Sequence, residues 1–194
     1  MGVEIKKLMP DMAEAYVRFF DETPHNEKWN TKCYCVCWCG NEPEGIDCAT
    51  EDNRRSVASR FVKDGNLQGY LAYADNKVIG WCNANTKLDC TAGRFWQHLM
   101  GSVPVDGHAD KKVKSVFCFT IAPNMRRKGV AAHLLERVCK DAAAEGFDFV
   151  EAYPNKVVTA KSENHGGFTE MYKKLGFSVY SELENMYVMR KALT

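Results

Sequence analysis

The sequence lacks any long hydrophobic run and any marked excess of one charge. No uninterrupted apolar stretch approaches the roughly 18 residues that a membrane-spanning helix needs. The 26 basic and 25 acidic residues leave a formal net charge of +1, and no extended basic stripe is present. These absences argue against a membrane protein and against a nucleic-acid-binding protein. The first residues also lack the apolar core of a signal peptide, so we expect a cytoplasmic protein with mostly reduced cysteines.

Internal repeats and low-complexity segments are missing as well. The chain has 194 residues, of which 45% are hydrophobic, and this is enough to build one core. We therefore expect a single domain over residues 1–194, with a cysteine-rich loop region at about residues 21–50.

The most informative stretch joins a predicted strand to a predicted helix. An apolar run ends at Pro123, a basic turn with Arg126, Arg127 and Lys128 follows, and Gly129 opens a helix. The first N–H groups of a helix lack intrahelical partners and carry partial positive charge, and glycine allows a ligand to approach closely. The turn therefore suits a phosphate-bearing cofactor. It is neither a Walker loop nor a dinucleotide fingerprint, because the defining residues of both motifs are missing.

Periodicity predicts the elements around this turn. Apolar side chains at helical spacing predict a helix over residues 130–145 with Gly146 as its C-cap, and a strand follows over 147–153. Asp11 is the expected N-cap of an early helix. The other predicted helices and strands are helices over 11–20, 51–63 and 95–100 and strands over 3–8, 68–74, 77–84, 112–121, 178–181 and 185–191.

Two motifs resemble one known family. Arg126-x-x-Gly129-x-Ala131 resembles the Arg/Gln-x-x-Gly-x-Gly/Ala signature of the GCN5-related N-acetyltransferase (GNAT) superfamily. Tyr172-x-x-x-Gly176-Phe177 resembles the C-terminal helix of the same superfamily and lies one predicted strand beyond the turn. The resemblance covers most of the chain. It implies an α/β (α+β) fold with a mixed, largely antiparallel central sheet flanked by helices.

The resemblance also implies a reaction. A GNAT enzyme transfers the acetyl group of its cosubstrate acetyl-CoA directly to a primary amine of a small molecule or peptide. The turn would hold the pyrophosphate, and a main-chain N–H near Ile121 would meet the oxyanion of the tetrahedral intermediate. The implied cosubstrate-binding residues are Ile121, Arg126, Arg127, Lys128, Gly129, Val130 and Ala131. Edge strands of this fold can support a homodimer.

The tyrosine of the second motif is the implied catalytic residue. In many members a tyrosine at the position of Tyr172 protonates the departing coenzyme A thiolate. A phenol with a pKa of about 10 can donate to a thiolate of comparable basicity, which is general acid catalysis. The alternative is that Tyr172 is only an aromatic core residue on an amphipathic helix.

The base that removes a proton from the amine is not evident in the sequence. Some members have a glutamate on the central strand, but residues 112–121 contain no acid. The candidates are Glu42, Glu44, His108 and Glu151. Many members also have asparagine seven residues before the tyrosine, where this chain has His165. A histidine there can hydrogen-bond the cosubstrate or serve as a base.

Cys33, Cys35, Cys37 and Cys39 alternate strictly along the chain. In an extended strand these four thiols would face one side, with Tyr34, Val36 and Trp38 on the other. Thiolates bind zinc or copper(I), but the spacing differs from that of common zinc sites. Packing of an apolar strand or loop, a metal site and redox-active thiols all remain open. We expect packing and assign no metal ligands.

The region around these cysteines borders the acceptor pocket in GNAT members. It combines the aromatic residues Trp29, Tyr34 and Trp38 with the carboxylates of Glu22, Glu27, Glu42, Glu44 and Asp47. Aromatic rings and carboxylates together suit a cationic amine, although an ordinary polar surface loop is the alternative. Two other functions stay open: a non-catalytic acetyl-CoA-binding sensor, and a metal- or thiol-dependent regulatory protein on the same scaffold.

Overall fold

The computed structural model describes residues 2–25, 29–38, 47–105, 111–157 and 164–193. Within these ranges the chain forms one seven-stranded sheet with helices on both faces. The strands are β1 (Glu4–Lys7), β2 (Gly69–Ala74), β3 (Lys77–Thr86), β4 (Val113–Ile121), β5 (Phe149–Ala152), β6 (Ser178–Glu182) and β7 (Tyr187–Ala192). The helices are α1 (Ala13–Glu22), α2 (Glu51–Lys63), α3 (Lys87–Cys90), α4 (Arg94–Leu99), α5 (Val130–Ala144) and α6 (Thr169–Lys174). None of these helices is both long and apolar enough to span a bilayer.

The strands lie in the order β1-β2-β3-β4-β5-β7-β6. Neighbouring strands run antiparallel except β4 and β5, which are parallel. The α5 helix lies between those two strands in sequence and packs on the sheet, so it supplies the crossover that a parallel pair needs. The predicted mixed, largely antiparallel sheet with flanking helices is therefore confirmed. The predicted strands differ from the observed ones mainly at their ends.

Short-range signals in the sequence set several element ends. Asp75 and Asn76 have φ of 49° and 61°, the left-handed values of a tight two-residue hairpin turn between β2 and β3. The Thr50 hydroxyl accepts a hydrogen bond from the Asn53 N–H at 3.1 Å and caps α2. Gly146, with φ of 74°, ends α5 as predicted. Each of these ends has a residue type that favours the local backbone conformation.

The predicted N-cap of the first helix is wrong. Pro10–Met12 forms a short 3-10 turn, and α1 begins after it, at Ala13. Proline fixes its own φ near the helical value and so starts the turn before the expected cap position. Asp11 lies within that turn and makes no side-chain cap bond to the described residues of α1.

The two faces of the sheet bury different helices. One face is covered by α5, whose Leu134, Leu135 and Val138 are fully buried at helical spacing. The other face is covered by α1 and α2, where Tyr16 meets Trp81 of β3 edge to face with ring centroids 4.9 Å apart. Burial of apolar surface contributes about 25 cal/mol per Å², so these two layers supply most of the favourable free energy of folding.

A bulge in β4 changes which side its residues face. Between its pairs with Asn83 and Ala84 of β3, β4 contains one extra residue, Phe117. Such a bulge bends the strand and interrupts the alternation of its side chains. Phe117 and Cys118 consequently both lie on the side of α1 and α2, and Phe119 lies on the side of α5.

The parallel strands β4 and β5 part before β4 ends. Their last pair joins Val116 to Ala152, whereas β4 continues to Ile121. Residues 117–121 of β4 therefore lack β5 as a neighbour, and their main-chain groups on that edge need other partners. This opening, called the strand gap below, positions the candidate functional site.

The cysteine-rich segment is a turn rather than an extended strand. Tyr34 and Cys35 have φ of 49° and 52°, and the chain turns through residues 34–37. Tyr34, Cys35 and Val36 are buried side by side, so the predicted separation of the thiols from Tyr34 and Val36 is wrong. The left-handed residues reverse the chain and thereby end the two-residue alternation of a strand. The described part of the segment packs against the core. Cys39 lies outside the described residues.

Hydrogen bonds attach this turn to the helices. The Tyr16 hydroxyl of α1 donates to the Tyr34 carbonyl at 2.7 Å, and the Tyr34 hydroxyl donates to the Asp21 carboxylate at 2.7 Å. Arg55 of α2 donates to both oxygens of Asp21 at 2.9 Å. Burial alone would raise the pKa of Asp21, but the bonds from Arg55 and Tyr34 lower it.

The described cysteines behave as buried or half-buried thiols. Among the described residues, no disulfide bond joins Cys33, Cys35, Cys37, Cys48, Cys82, Cys90, Cys118 or Cys139. Burial raises the pKa of Cys33 and Cys35, which keeps both thiols protonated. Across the described ranges, no group of three or more His, Cys, Asp or Glu residues is arranged to hold a metal ion.

Candidate functional site

A cavity of about 440 Å³ lies where β4, the start of α5 and residues 164–168 meet. The strand contributes Phe119 and Ile121, the turn before α5 contributes Arg126 and Gly129, and the chain before α6 contributes His165. Most of the wall consists of apolar residues, and its arginines are concentrated at the turn. A wall of this composition suits a ligand with an apolar arm and an anionic end.

The turn at one end of the cavity is built to meet an anion. Arg127 and Gly129 have φ of 60° and 80°, so the chain reverses between β4 and α5 within a few residues. A left-handed arginine costs about 1–3 kcal/mol, and such strain is typical of functional sites. No side chain among the described residues caps α5, so its first N–H groups remain available at the positive end of the helix dipole. The Arg126 Nε donates to the Ile121 carbonyl at 3.2 Å and ties the turn to β4.

Most of the residues predicted to bind the cosubstrate lie in this wall. The structure brings together Ile121, Arg126, Arg127, Gly129, Val130 and Ala131. Lys128 is not among the lining residues, and its Nζ lies 4.0 Å from the Met125 Sδ. Sequence reasoning missed Phe119, Phe168 and Met171, which also line the cavity. Their apolar character is equally typical of the core, so no signal in the sequence distinguishes them.

Tyr172 lies beside the cavity rather than in its wall. The residue is fully buried, and its hydroxyl donates to the Gly166 carbonyl at 2.7 Å. Gly167 lies between the cavity and this hydroxyl. It lines the cavity, and a side chain at this position would clash, since its Cβ would lie 2.9 Å from the hydroxyl oxygen. Burial raises the pKa of Tyr172, so the hydroxyl keeps its proton. The structure thus places a protonated phenol next to the cavity, and this phenol already donates a hydrogen bond to the main chain.

Residues 164–167, called the plug segment below, fill the strand gap. The Phe119 N–H donates to the His165 carbonyl at 2.7 Å, and the His165 Nδ1 lies 2.9 Å from the Phe119 carbonyl oxygen. On the other side, a Cβ at Gly166 would lie 3.0 Å from the Tyr153 carbonyl oxygen. The plug segment therefore takes the place that a longer β5 would occupy, and glycine permits its close approach.

Glu151, one of the four candidate bases, lies in a buried ion-pair cluster. Its carboxylate accepts hydrogen bonds from the Lys87 Nζ at 2.8 Å, the Arg190 Nε at 2.7 Å and the Tyr153 hydroxyl at 3.1 Å. Glu151 exposes no surface, and the Lys87 side chain exposes 5% of its own. Both carboxylate oxygens are occupied, and Glu151 does not line the cavity. This geometry favours a structural role for Glu151 over that of a base.

A row of aromatic rings lies on the α1–α2 side of the strand gap. Trp38 stacks on Phe117 with centroids 4.8 Å apart, and Phe117 stacks on Tyr153 at 5.5 Å. The ring of Tyr34, by contrast, is buried against α1, and Trp29 is 70% exposed. Trp38 is therefore the residue of the predicted acceptor region that joins this row. The predicted acceptor or base residues outside the described ranges are Glu27, Glu42, Glu44 and His108.

A protein-family model matches the part of the chain that builds this site. The model, described as "Acetyltransferase (GNAT) family", matches residues 10–177. The match includes both sequence motifs, the turn before α5 and the whole cavity wall.

Solved structures share the fold over nearly their full length. An acetyltransferase of the GNAT family from Streptococcus pneumoniae is 15% identical, with a TM-score of 0.56 and complete coverage of both chains. PaiA N-acetyltransferase from Thermoplasma acidophilum, in complex with coenzyme A, is 16% identical, with a TM-score of 0.52 and 99% coverage of each chain. A chain of the NatC complex bound to Gag peptide and coenzyme A is 14% identical, with a TM-score of 0.57 and complete coverage of both chains.

The buried cluster around Glu151 generates a stability prediction. The Glu151→Gln variant leaves Lys87 buried beside a neutral side chain, so we expect it to lose about 3–5 kcal/mol of its free energy of unfolding. Urea denaturation measures this loss. The control is Glu14→Gln, which breaks an exposed pair with Arg18 and should change stability little. Similar losses in the two variants would contradict the structural role of the cluster.

Proposed function

This chain belongs to the acetyltransferase (GNAT) family, and on that premise we propose that it transfers the acetyl group of acetyl-CoA to a primary amine by direct attack. The observation that carries the proposal is the cavity at the start of α5. Its apolar wall ends at a turn with two arginines and uncapped helix N–H groups. A thioester on a long arm that ends in a pyrophosphate matches this composition.

In this proposal the pyrophosphate lies against the turn before α5. Arg126, Arg127 and Lys128 supply positive charge, and the main chain from Gly129 to Ala131 supplies N–H donors. The N–H of Ile121 is the proposed donor to the oxyanion that forms on the thioester carbonyl. Two structural neighbours were solved with coenzyme A, which supports this choice of cosubstrate.

The chemical steps follow from the charge of the acceptor. An alkylammonium has no lone pair, so its proton must first pass to a base or to water. The amine nitrogen then adds to the thioester carbonyl and loses a second proton to water, and collapse of the intermediate breaks the C–S bond. We assign protonation of the departing thiolate to Tyr172, whose raised pKa keeps the hydroxyl protonated at neutral pH and also makes it a weaker acid than a free phenol. For this transfer, the hydroxyl must exchange the Gly166 carbonyl for the sulfur.

The proposed acceptor is a small molecule or a peptide with a primary amine. Trp38, the half-buried end of the aromatic row, supports binding of a cationic amine on the α1–α2 side of the strand gap, whereas Phe117 and Tyr153 are buried beneath it. The peptide in the NatC complex supports a peptide as one class to test.

We further propose that the protein acts in the cytoplasm as a single domain. Homodimerisation would use the edge strand β6, where Val179 and Tyr180 are exposed.

The position of Tyr172 favours a second candidate function, a non-catalytic acetyl-CoA sensor. Its hydroxyl is already bonded to Gly166, and the cavity wall formed by the described residues contains no carboxylate. A sensor of this kind would bind acetyl-CoA without consuming it. Turnover in the presence of an amine separates the two functions.

The turn generates a prediction about binding of coenzyme A. Gly129→Leu places a side chain in open space before the turn, so we expect the Kd for coenzyme A to rise more than about 10-fold, measured by calorimetry. The control is Gly146→Leu at the other end of α5, where φ is also left-handed and the space is also open. Both variants should lose about 1–2 kcal/mol of stability from backbone strain. Unchanged binding in Gly129→Leu would show that the pyrophosphate lies elsewhere.

The acceptor is tested with a panel of amines. Acetyl-CoA consumption is measured with polyamines, aminoglycosides, amino acids, lysine peptides and peptides with free N-termini. We expect one class to raise consumption at least about 10-fold above hydrolysis by water alone, since binding orients the amine for attack. Tight binding of acetyl-CoA with no amine-dependent consumption would favour the sensor.

The role of Tyr172 is tested by removal of its hydroxyl. We expect Tyr172→Phe to lower kcat by about 10²–10⁴-fold, while the Kd for acetyl-CoA stays near that of the wild type. Tyr16→Phe is the matched control, because its buried hydroxyl also donates to a carbonyl at 2.7 Å but lies away from the cavity. It should lose similar stability and keep its kcat. A Tyr172→Phe enzyme with wild-type turnover would exclude the acid role.

A further inference from the structure

His165 lines the cavity and also contacts the segment that follows α1. The residue lines the cavity, and its Nδ1 lies 2.9 Å from the Phe119 carbonyl oxygen of β4. The Nε2 lies 2.8 Å from the carbonyl oxygen of His25, three residues beyond α1. The rings of His25 and His165 stack with centroids 3.9 Å apart and an interplanar angle of 16°. One side chain therefore links two segments separated by 140 positions in the chain.

Both partners of the His165 ring are carbonyl oxygens, which accept hydrogen bonds and cannot donate them. Each bond thus needs an N–H on the ring, and a neutral imidazole has only one. The two distances place one ring nitrogen at each carbonyl group, so the same ring can hold either segment, depending on which nitrogen carries the N–H. Burial, together with the adjacent His165, lowers the pKa of His25 to about 4, so the stacked partner stays neutral.

We propose that His165 is a positioning residue that couples occupancy of the cavity to the order of the chain after α1. The proposal rests on the proposed function, because it takes coenzyme A as the ligand of the cavity. A ligand packed against Phe119 and His165 would limit the motion of the imidazole. The hydrogen bond between this imidazole and the His25 carbonyl would then break less often. The chain after α1 leads into the region proposed to border the acceptor. Binding of the cosubstrate would therefore stabilise the acceptor side, which is a coupling free energy between two sites.

Hydrogen exchange measures this coupling without knowledge of the acceptor. The amide of His25 donates to the Thr31 carbonyl at 2.7 Å, and the amide of Thr23 donates to the Phe20 carbonyl at 3.3 Å. Exchange of these two amides therefore reports on the segment that follows α1. In the wild type we expect coenzyme A to slow exchange of these two amides by at least about 5-fold. In His165→Phe, which keeps a flat ring without N–H groups, the slowing should disappear. Exchange in both proteins is compared at saturating coenzyme A, so that a change in the Kd of the variant does not account for the loss of slowing.

A matched control separates the ring of His165 from that of His25. His25→Phe keeps the main-chain carbonyl and the stacking, and it replaces a buried Nδ1 that has no partner among the described residues. We expect this variant to retain the slowing. A third variant, His165→Gln, donates through one side-chain nitrogen instead of two and should show a smaller slowing. Thermal unfolding checks that each variant is folded.

The outcomes distinguish this inference from the proposed function. The coupling is excluded if coenzyme A binds the wild type without slowing these amides, or if His165→Phe or His165→Gln keeps the full wild-type effect. The proposed function is untouched by either result. If coenzyme A does not bind the wild type at all, the proposed function fails, and the coupling fails with it.

Discussion

The early end of pairing between β4 and β5 is the constraint on which the site depends. A strand edge with unpaired main-chain groups cannot remain buried, so the chain must supply other partners. The plug segment supplies them by bonding to Phe119 through both the main chain and the side chain of His165. The bulge at Phe117 acts together with this gap, because it sends Phe117 and Phe119 to opposite faces. One strand thereby carries the cavity on one side and the aromatic row on the other.

Two buried polar arrangements lie beside the gap. On the side of β5, the cluster of Lys87, Glu151 and Arg190 links the helix after β3 to the strands β5 and β7. On the side of β4, Tyr172 and the plug segment share a hydrogen bond through Gly166. Loss of one partner in either arrangement lowers stability, since an unpaired buried polar group is costly. Tyr172 and the Glu151 cluster thus lie outside the cavity wall, whereas the plug segment contributes to it.

Local chemistry explains what the sequence predicted well. The ends of α2 and α5 follow from Thr50 and Gly146, and the hairpin turn follows from Asp75 and Asn76, because each residue type favours its own backbone conformation. The turn before α5 was likewise readable from its arginines and Gly129. Its residues are contiguous, so their common location needs no knowledge of the tertiary fold.

The remainder depends on contacts between distant parts of the chain. No pattern pairs His25 with His165, and no spacing indicates that Lys87 and Arg190 meet at Glu151. For the cysteine segment, the alternation is typical of a strand, and the sequence left a strand or a loop open. In the structure, tertiary burial and left-handed residues determine its path instead. Such a turn leaves little trace in composition, because Tyr34 is not a residue type that favours a positive φ.

The burial of the thiols has a consequence for chemical labelling. Alkylating and disulfide reagents react with thiolates, and a small free thiol such as coenzyme A ionises readily in water. Burial raises the pKa of Cys90 to about 12 and that of Cys139 to about 11, and it raises the pKa of Cys82 as well. At neutral pH these protein thiols are almost entirely un-ionised. A thiol reagent would therefore consume a released coenzyme product long before it modifies the folded core, and reaction of the core thiols would report unfolding.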